Sequence, residues 1–216
     1  MQQTFTRGRW LGSMARTIYA QQVQRACIFC GSSPGARPAY TEAAEDLGML
    51  LVQNGITLVF GGATVGLMGR LADTVVSEGG EAIGVIPQAL VDREIAHLGL
   101  TDLHVVDTMH ERKQRMADLS DAFVALPGGL GTLDELFEIY TWGQLGMHRK
   151  PIGLMNVEGY FDGLVGFLEH AVAERFVRED HRDMLIIEEE PTPMLERLQS
   201  FDPASLTPKW IDRQDV

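Results

Sequence analysis

The most constraining feature of the sequence is an alternation of short apolar runs with longer helical stretches, which begins at residue 25. The runs are too short to be helices and are mostly free of polar residues, as is typical of strands buried on both faces of a parallel sheet. Helices that connect such strands cover the two faces of the sheet. The predicted strands are residues 26–30, 56–60, 82–86, 104–106, 122–126, 152–155 and 185–187.

Between these runs the sequence predicts helices. Two of them are followed by the pairs Asn54-Gly55 and Gly79-Gly80, and glycine at this position commonly ends a helix. The link over residues 87–103 is predicted to be either a helical turn or a loop over the sheet edge, and links of this length often cover a binding site. The predicted helices are residues 39–53, 67–77, 110–119, 133–145, 161–176 and 192–198.

The order of these elements predicts a single-domain α/β fold, with a Rossmann-like, doubly wound, mostly parallel sheet of about seven strands over residues 25–200. Residues 1–24 carry Arg7, Arg9 and Arg16 but no continuous apolar stretch, so they lack the core of a secretory signal. We expect a poorly ordered leader there, or a short amphipathic arm that packs on a partner subunit. Residues 201–216 are expected to form a loose tail.

Charge and cysteine content narrow the classes of function. The net charge of −12 repels nucleic acid and anionic membranes, so a ligand that carries phosphate would need locally placed donors. The chain has two cysteines, which favours a reducing compartment over a disulfide scaffold. No apolar run is long enough for a transmembrane helix. These observations predict a cytoplasmic protein that binds neither nucleic acid nor membranes.

Three predicted strands end in glycine-rich turns, at residues 30–35, 60–66 and 127–132. In open α/β sheets ligands bind beyond the carboxyl ends of the strands, and glycine lets the backbone approach a phosphate closely. None of the turns matches the dinucleotide or nucleoside triphosphatase fingerprints. We expect phosphate binding among these turns, with Ser32 and Gly62 as contacts. Ser32 is not expected to be a nucleophile, because the Gly-x-Ser-x-Gly elbow is absent.

The third turn has the pattern Pro-Gly-Gly-x-Gly-Thr-x-x-Glu, which allows two interpretations of Thr132 and Glu135. Thr132 at a helix start with Glu135 three residues later fits a capping box, in which Glu135 reaches back to the cap residue. Alternatively, Glu135 lies beside a phosphate loop, where a carboxylate could orient water or stabilise a developing sugar cation. The spacing does not distinguish these interpretations.

A second cluster, at residues 109–116, contains Arg112, Lys113 and Arg115. A helix there would place Arg112 and Met116 on one face. The cluster could be a solvated basic face. However, cations at a helix start are unfavourable unless an anion lies nearby, and in a protein of net negative charge this favours a bound anion.

The cysteines and histidines predict no metal site. Cys27 and Cys30 lie along one predicted strand, where positions three apart face opposite sides of the sheet. We therefore expect two buried core cysteines. The six histidines show no spacing typical of metal ligands.

Together the motifs resemble one known family. Residues 60–69 (FGGATVGLMG), 109–113 (MHERK) and 127–135 (PGGLGTLDE) closely resemble the Lonely Guy family, the cytokinin riboside 5′-monophosphate phosphoribohydrolases long labelled "lysine decarboxylase-like". The similarity runs from about Arg25 to Arg178 and includes residues 141–146 and 150–156. Ala63, where a third glycine is usual, and Asp134, where glutamate is common, depart from the pattern.

The resemblance implies a homodimer with the pocket near its interface, no cofactor, and hydrolysis of an adenosine-type 5′-monophosphate to the free base and ribose 5-phosphate. The base would be adenine or its N6-prenylated form, and Met109, Leu130, Leu133 and Trp142 could line a prenyl pocket or belong to the core. The implied catalytic residues are Arg112 and Glu135. The implied substrate contacts are Glu94, Arg112, Lys113, Gly128, Gly129, Leu130, Gly131, Thr132, Leu133, Asp134 and Thr141.

Two other functions remain open from the sequence. A non-catalytic module could bind adenosine monophosphate with the same loops. A pyridoxal-phosphate lysine decarboxylase would need a Schiff-base lysine, and the chain has only Lys113, Lys150 and Lys209. We consider the decarboxylase the weaker alternative, because no large second domain is predicted to shape its cofactor site.

Overall fold

A computed structural model describes residues 23–93 and 96–203, and it contains a seven-stranded parallel sheet. Most of the predicted leader, Glu94 and most of the predicted tail lie outside the described residues. The strand order is β4-β3-β2-β1-β5-β6-β7, so the predicted Rossmann-like α/β fold is confirmed, with every strand pair parallel. The strands are β1 (Arg25–Phe29), β2 (Thr57–Phe60), β3 (Ala82–Pro87), β4 (Asp102–Val106), β5 (Ala122–Ala125), β6 (Ile152–Met155) and β7 (Leu185–Glu188).

All six predicted helices are present. The start of α5 differs from the prediction in a way that affects the site, because this helix begins three residues earlier than predicted. Two short helices, α3 and α7, were not predicted as separate elements. No described helix combines the length and apolarity needed to cross a membrane. The helices are α1 (Pro38–Gln53), α2 (Gly66–Ser77), α3 (Gln88–Val91), α4 (Met109–Leu119), α5 (Leu130–Gln144), α6 (Asp162–Ala173), α7 (Glu179–Arg182) and α8 (Pro191–Gln199).

The chain changes direction across the sheet between β1 and β5. Strands β1 to β4 are added in one direction, and β5 then pairs with the other side of β1. The loops that leave β1 and β5 diverge at such a point, and they open the crevice in which α/β sheets of this kind bind ligands.

Two apolar layers cover the faces of the sheet. One layer packs α1, α2 and α8 against the sheet, and the other packs α4, α5 and α6 against the opposite face. Cys27 belongs to one layer and Cys30 to the other, and both are free and buried. The prediction of two core cysteines on opposite faces is therefore confirmed.

The link between β3 and β4 combines both predicted forms, because it begins with α3 and continues as a loop. Ala96 forms an isolated bridge with Ala63, and the His97 amide donates to the Gly62 carbonyl over 2.9 Å. The loop is thus pinned against the turn that follows β2.

Candidate functional site

The three glycine turns follow β2, β1 and β5, which are neighbours in the sheet. The Gly31 amide donates to the Pro127 carbonyl over 3.0 Å, and the Leu67 amide donates to the Gly31 carbonyl over 3.0 Å. Gly66 has a φ of 59°, and a β-carbon there would collide with the backbone between Ser32 and Ser33. The turns therefore form one continuous surface at the carboxyl edge of the sheet, as the sequence predicts.

A cleft of about 230 Å³ opens between the turns that follow β1 and β5, at the switch point. Ser32, predicted as a phosphate contact, lies in this cleft and is exposed. Gly62 does not line it, because the Gly62 backbone packs against Ile86 and Leu103 instead. The cleft is lined by residues 31–35, Tyr40, Leu67, residues 127–129 and Tyr160.

The start of α5 overturns the capping-box interpretation of the third turn. The cap residue is Gly129, no side chain caps the helix, and Thr132 is already its third residue. The Thr132 side chain is buried and packs so closely on Gly128 that a β-carbon there would overlap its hydroxyl. The structure has a capping box elsewhere, at α4, where Thr108 accepts from the Glu111 amide and Glu111 accepts from the Thr108 amide.

The first turn of α5 has amides without acceptors inside the helix, and residues 129–131 at its start are exposed. The first intrahelical hydrogen bond runs from the Leu133 amide to the Gly129 carbonyl, so the amides of residues 130–132 have no acceptor within the helix. Nothing lies within 4 Å of a β-carbon built at Gly129 or Gly131, and Leu130 is 88% exposed. Free amides and the positive end of the helix dipole make this start suitable for binding an anion.

Arg112 and Glu135 form a buried ion pair between α4 and α5. The distance between Arg112 Nη2 and Glu135 Oε1 is 3.1 Å, and each side chain is 10% exposed. Arg112 Nε also donates to the Val85 carbonyl over 3.2 Å. A β-carbon at Gly61 would overlap the guanidinium, so a larger residue at this point of the turn after β2 would displace the Arg112 side chain. The interpretation of this helix as a solvated basic face is therefore wrong for Arg112.

Lys113, the next cation of α4, also faces carboxylates of the chain. Lys113 Nζ lies 3.1 Å from Asp134 Oδ2 and 3.0 Å from Glu138 Oε2. Arg115 is exposed. The sequence predicts a bound anion beside these cations, and in the structure Arg112 and Lys113 face carboxylates of α5.

The environment of Glu135 sets the direction of its pKa. Burial raises the pKa of Glu135, and the charge of Arg112 lowers it without cancelling the effect of burial. The pKa of Lys113 is also raised, because its hydrogen bonds to Glu138 and Asp134 outweigh the effect of its partial burial. Glu135 is thus a carboxylate that can accept a proton more readily than an exposed glutamate.

Both described lysines are engaged, which bears on the decarboxylase alternative. Lys113 pairs with two carboxylates, and Lys150 donates to the Ala117 carbonyl over 2.8 Å. Lys209 lies outside the described residues. Neither described lysine presents an unengaged amino group for Schiff-base formation.

The remaining predicted contacts that the structure describes lie along α5. Leu133 is half-buried, while Asp134 and Thr141 are exposed on the same helix. Glu94 lies outside the described residues. The sequence interpretation missed Tyr40 and Tyr160, which form one wall of the cleft. The signal for Tyr160 was present, since Asn-Val-Glu-Gly-Tyr follows a predicted strand.

Comparisons with known sequences agree on one family. The profile of a family described as "Possible lysine decarboxylase" matches residues 68–198. A probable cytokinin riboside 5′-monophosphate phosphoribohydrolase of Oryza sativa subsp. japonica is 44% identical over 189 residues, which cover 88% of this chain and 76% of that protein. A cytokinin riboside 5′-monophosphate phosphoribohydrolase of Arabidopsis thaliana is 44% identical over 187 residues, which cover 87% of each chain.

Solved structures support the fold. The molybdenum cofactor binding protein of Rippkaea orientalis superposes with a TM-score of 0.64 at 22% identity, covering 83% of this chain and 98% of that one. The molybdenum cofactor carrier protein of Chlamydomonas reinhardtii gives 0.62 at 18% identity, covering 82% and 98%. At these identities the likeness concerns the fold alone. The sequence matches show that this chain belongs to the Lonely Guy family of cytokinin riboside 5′-monophosphate phosphoribohydrolases.

Proposed function

We propose that this chain hydrolyses the N-glycosidic bond of an adenosine-type nucleoside 5′-monophosphate and releases the free base and ribose 5-phosphate. The observation that carries the proposal is the buried Arg112–Glu135 pair, in which Arg112 of α4 holds Glu135 on α5, the helix whose first turn offers amides to a phosphate. The names of the relatives, phosphoribohydrolases of cytokinin riboside 5′-monophosphates, support the same reaction.

The 5′-phosphate binds at the start of α5. The amides of residues 130–132 are its main hydrogen-bond donors, and the positive end of the helix dipole attracts its negative charge. The exposed Ser32 hydroxyl is a further donor across the cleft. Arg112 and Lys113 are already paired with carboxylates and are not free for the phosphate. Binding energy from this phosphate is remote from the broken bond and holds the ribose in place for the reaction.

The reaction breaks the bond between C1′ of the ribose and the base nitrogen, and the bonding electrons leave with the base. The Glu135 carboxylate stabilises the developing ribosyl cation, as carboxylates do in glycoside hydrolysis. Glu135 also accepts a proton from the water that attacks C1′, which completes ribose 5-phosphate. Arg112 holds Glu135 in place and contributes a fixed positive charge, because a guanidinium does not act as a proton donor in proteins. The departing base takes up a proton from the surrounding water.

We also propose that the protein is a homodimer and that it acts in the cytoplasm. The outer side of α5 carries Leu130, Leu133, Phe137 and Trp142 around a shallow surface groove, next to Met147, which is 66% exposed. An apolar side of this kind is favourable to bury against a second copy of the chain. Such an interface would lie beside the start of α5 and would add an apolar wall to the pocket for the base.

The test is a chromatographic assay of the purified protein with adenosine monophosphate and with its N6-prenylated form. The expected result is release of free base with an equimolar amount of ribose 5-phosphate from at least one substrate, and the ratio of the two rates gives the base preference. Tight binding of both nucleotides with no base released over hours would contradict the proposal and would favour the non-catalytic binding module.

A further inference from the structure

Tyr160 lies where the turn after β6 meets the glycine turn after β5. Its hydroxyl donates to the Gly128 carbonyl over 2.7 Å, and its ring lines the cleft at the switch point. Neither the family motifs in the sequence nor the Arg112–Glu135 pair involves this residue. It is therefore a side chain of the cleft without an assigned role.

The turn that carries Tyr160 is held from several sides. Buried Asn156 accepts from the Phe161 amide over 2.7 Å and donates to Asp162 over 2.8 Å. Glu158 has a φ of 48°, in the left-handed region that non-glycine residues seldom adopt, and it forms an ion pair of 3.0 Å with Arg37. A backbone conformation of this kind is costly unless the surrounding structure imposes it. The contacts around this turn therefore fix its conformation.

The ring of Tyr160 is fixed independently of its hydroxyl. It packs edge to face against Tyr40, with 5.4 Å between ring centroids, and against Phe161, with 4.8 Å. These contacts keep the ring in place when the hydroxyl is removed. Phenylalanine at position 160 therefore isolates the hydrogen bond to Gly128.

The hydrogen bond from Tyr160 holds the carbonyl of Gly128, just before the amides that we propose to bind the anion. Gly128 follows Pro127, whose carbonyl is bound by the Gly31 amide, and precedes the cap residue of α5. A glycine-rich segment can rotate its peptides freely, and the hydroxyl fixes the carbonyl of one of them. We propose that Tyr160 is a positioning residue that orients the glycine turn so that the first amides of α5 face the phosphate of the substrate.

This inference rests on the proposed function and deepens it, because it separates binding of the phosphate from the chemical step. Tyr160 touches the turn that holds the phosphate and does not touch Arg112 or Glu135. Loss of its hydroxyl should therefore raise KM and leave kcat nearly unchanged, since it removes binding that is equal in the ground state and the transition state.

The experiment compares Tyr160→Phe with Tyr140→Phe, a matched control. The Tyr140 hydroxyl makes the same kind of bond, to the His181 carbonyl over 2.7 Å, on the far part of α5. For Tyr160→Phe we expect KM for adenosine monophosphate and Kd for ribose 5-phosphate to rise roughly fivefold to tenfold, as the loss of one hydrogen bond implies, with kcat within about twofold. Affinity for free adenine should not change. Tyr140→Phe should lower the unfolding temperature without changing KM.

Inorganic phosphate, titrated by calorimetry into the wild type and the variant, separates this inference from the proposed function. If the wild type releases no base but phosphate binds more weakly to Tyr160→Phe, the function fails and the positioning role stands. If the wild type is active and Tyr160→Phe has unchanged KM and phosphate affinity, or loses only kcat, the positioning role is overturned. If the wild type binds neither phosphate nor ribose 5-phosphate, both are overturned.

Discussion

Arg112 and Glu135 meet from two helices that follow different strands, and they form an ion pair in which each side chain is only 10% exposed. Removal of one charge would leave the other buried without a partner, which typically costs about 3–5 kcal/mol of unfolding free energy. A role in stability alone would not require the pair to lie one helical turn from unpaired amides. The position of the pair therefore connects the fold to the proposed chemistry.

The first prediction concerns pH. Burial raises the pKa of Glu135 above the ordinary 4.5, and Arg112 opposes this effect. Because the reaction needs the carboxylate, kcat/KM of the wild type should fall as the pH drops through this raised pKa. Replacing Arg112 with Gln removes the opposing charge, so the acidic limb should move to higher pH by roughly one unit or more. The measurement is the pH profile of kcat/KM for both proteins. A limb at the same pH in both would contradict the predicted coupling.

The second prediction concerns the glycines at the start of α5. Gly131→Ala introduces no clash in the fold, and it should stabilise the helix by roughly 0.5–1 kcal/mol. If a phosphate approaches this backbone closely, the same change should raise KM by at least about fivefold through lost contact.

Gly166→Ala is the control for that experiment, because Gly166 is also helical and its β-carbon would also meet open space, but it lies on α6. Both variants should have a raised unfolding temperature, measured by calorimetry, and only Gly131→Ala should have a raised KM. Equal kinetics in the two variants would place the phosphate elsewhere.

The third prediction concerns the packing of Arg112. A β-carbon at Gly61 would occupy the space of its guanidinium, so Gly61→Ala must displace that group and disturb its ion pair with Glu135. Misplacement of catalytic groups by about 1 Å can lower rates by up to about a hundredfold, and we expect kcat to fall at least about tenfold. Steady-state kinetics at saturating substrate check this. Unchanged kcat in a variant that keeps its fold by circular dichroism would show that the position of Arg112 is not critical.

Much of the fold could be predicted from the sequence because its strands are buried on both faces. Continuous apolar runs such as Ile152–Met155 have no solvent-facing positions to obscure them. The placement of the three glycine turns at one edge of the sheet was likewise predictable from their positions at strand ends. Because side chains alternate along a strand, the sequence also predicted that Cys27 and Cys30 face opposite sides of the sheet.

The parts that could not be predicted depend on packing between distant segments. The spacing of Thr132 and Glu135 fits a capping box, but the helix begins at Leu130, so Thr132 packs on Gly128 within its first turn and Glu135 lies in its second turn. The Tyr160–Gly128 bond joins two loops of neighbouring strands, and no local pattern indicates it. Spacing along the chain specifies only which residues can meet within one element.

Glu135→Gln tests the central claim most directly, because glutamine can still accept a hydrogen bond from Arg112 but cannot take the proton of water. Glu138→Gln is the matched control, since Glu138 lies on the same helix and pairs with Lys113. The measurement is the initial rate of base release from adenosine monophosphate and its N6-prenylated form, together with the unfolding temperature of each variant. The account predicts that Glu135→Gln keeps its fold and loses at least about a hundredfold in kcat, while Glu138→Gln stays within about tenfold of the wild type. Retained turnover in Glu135→Gln, with only a change in stability, would contradict the account.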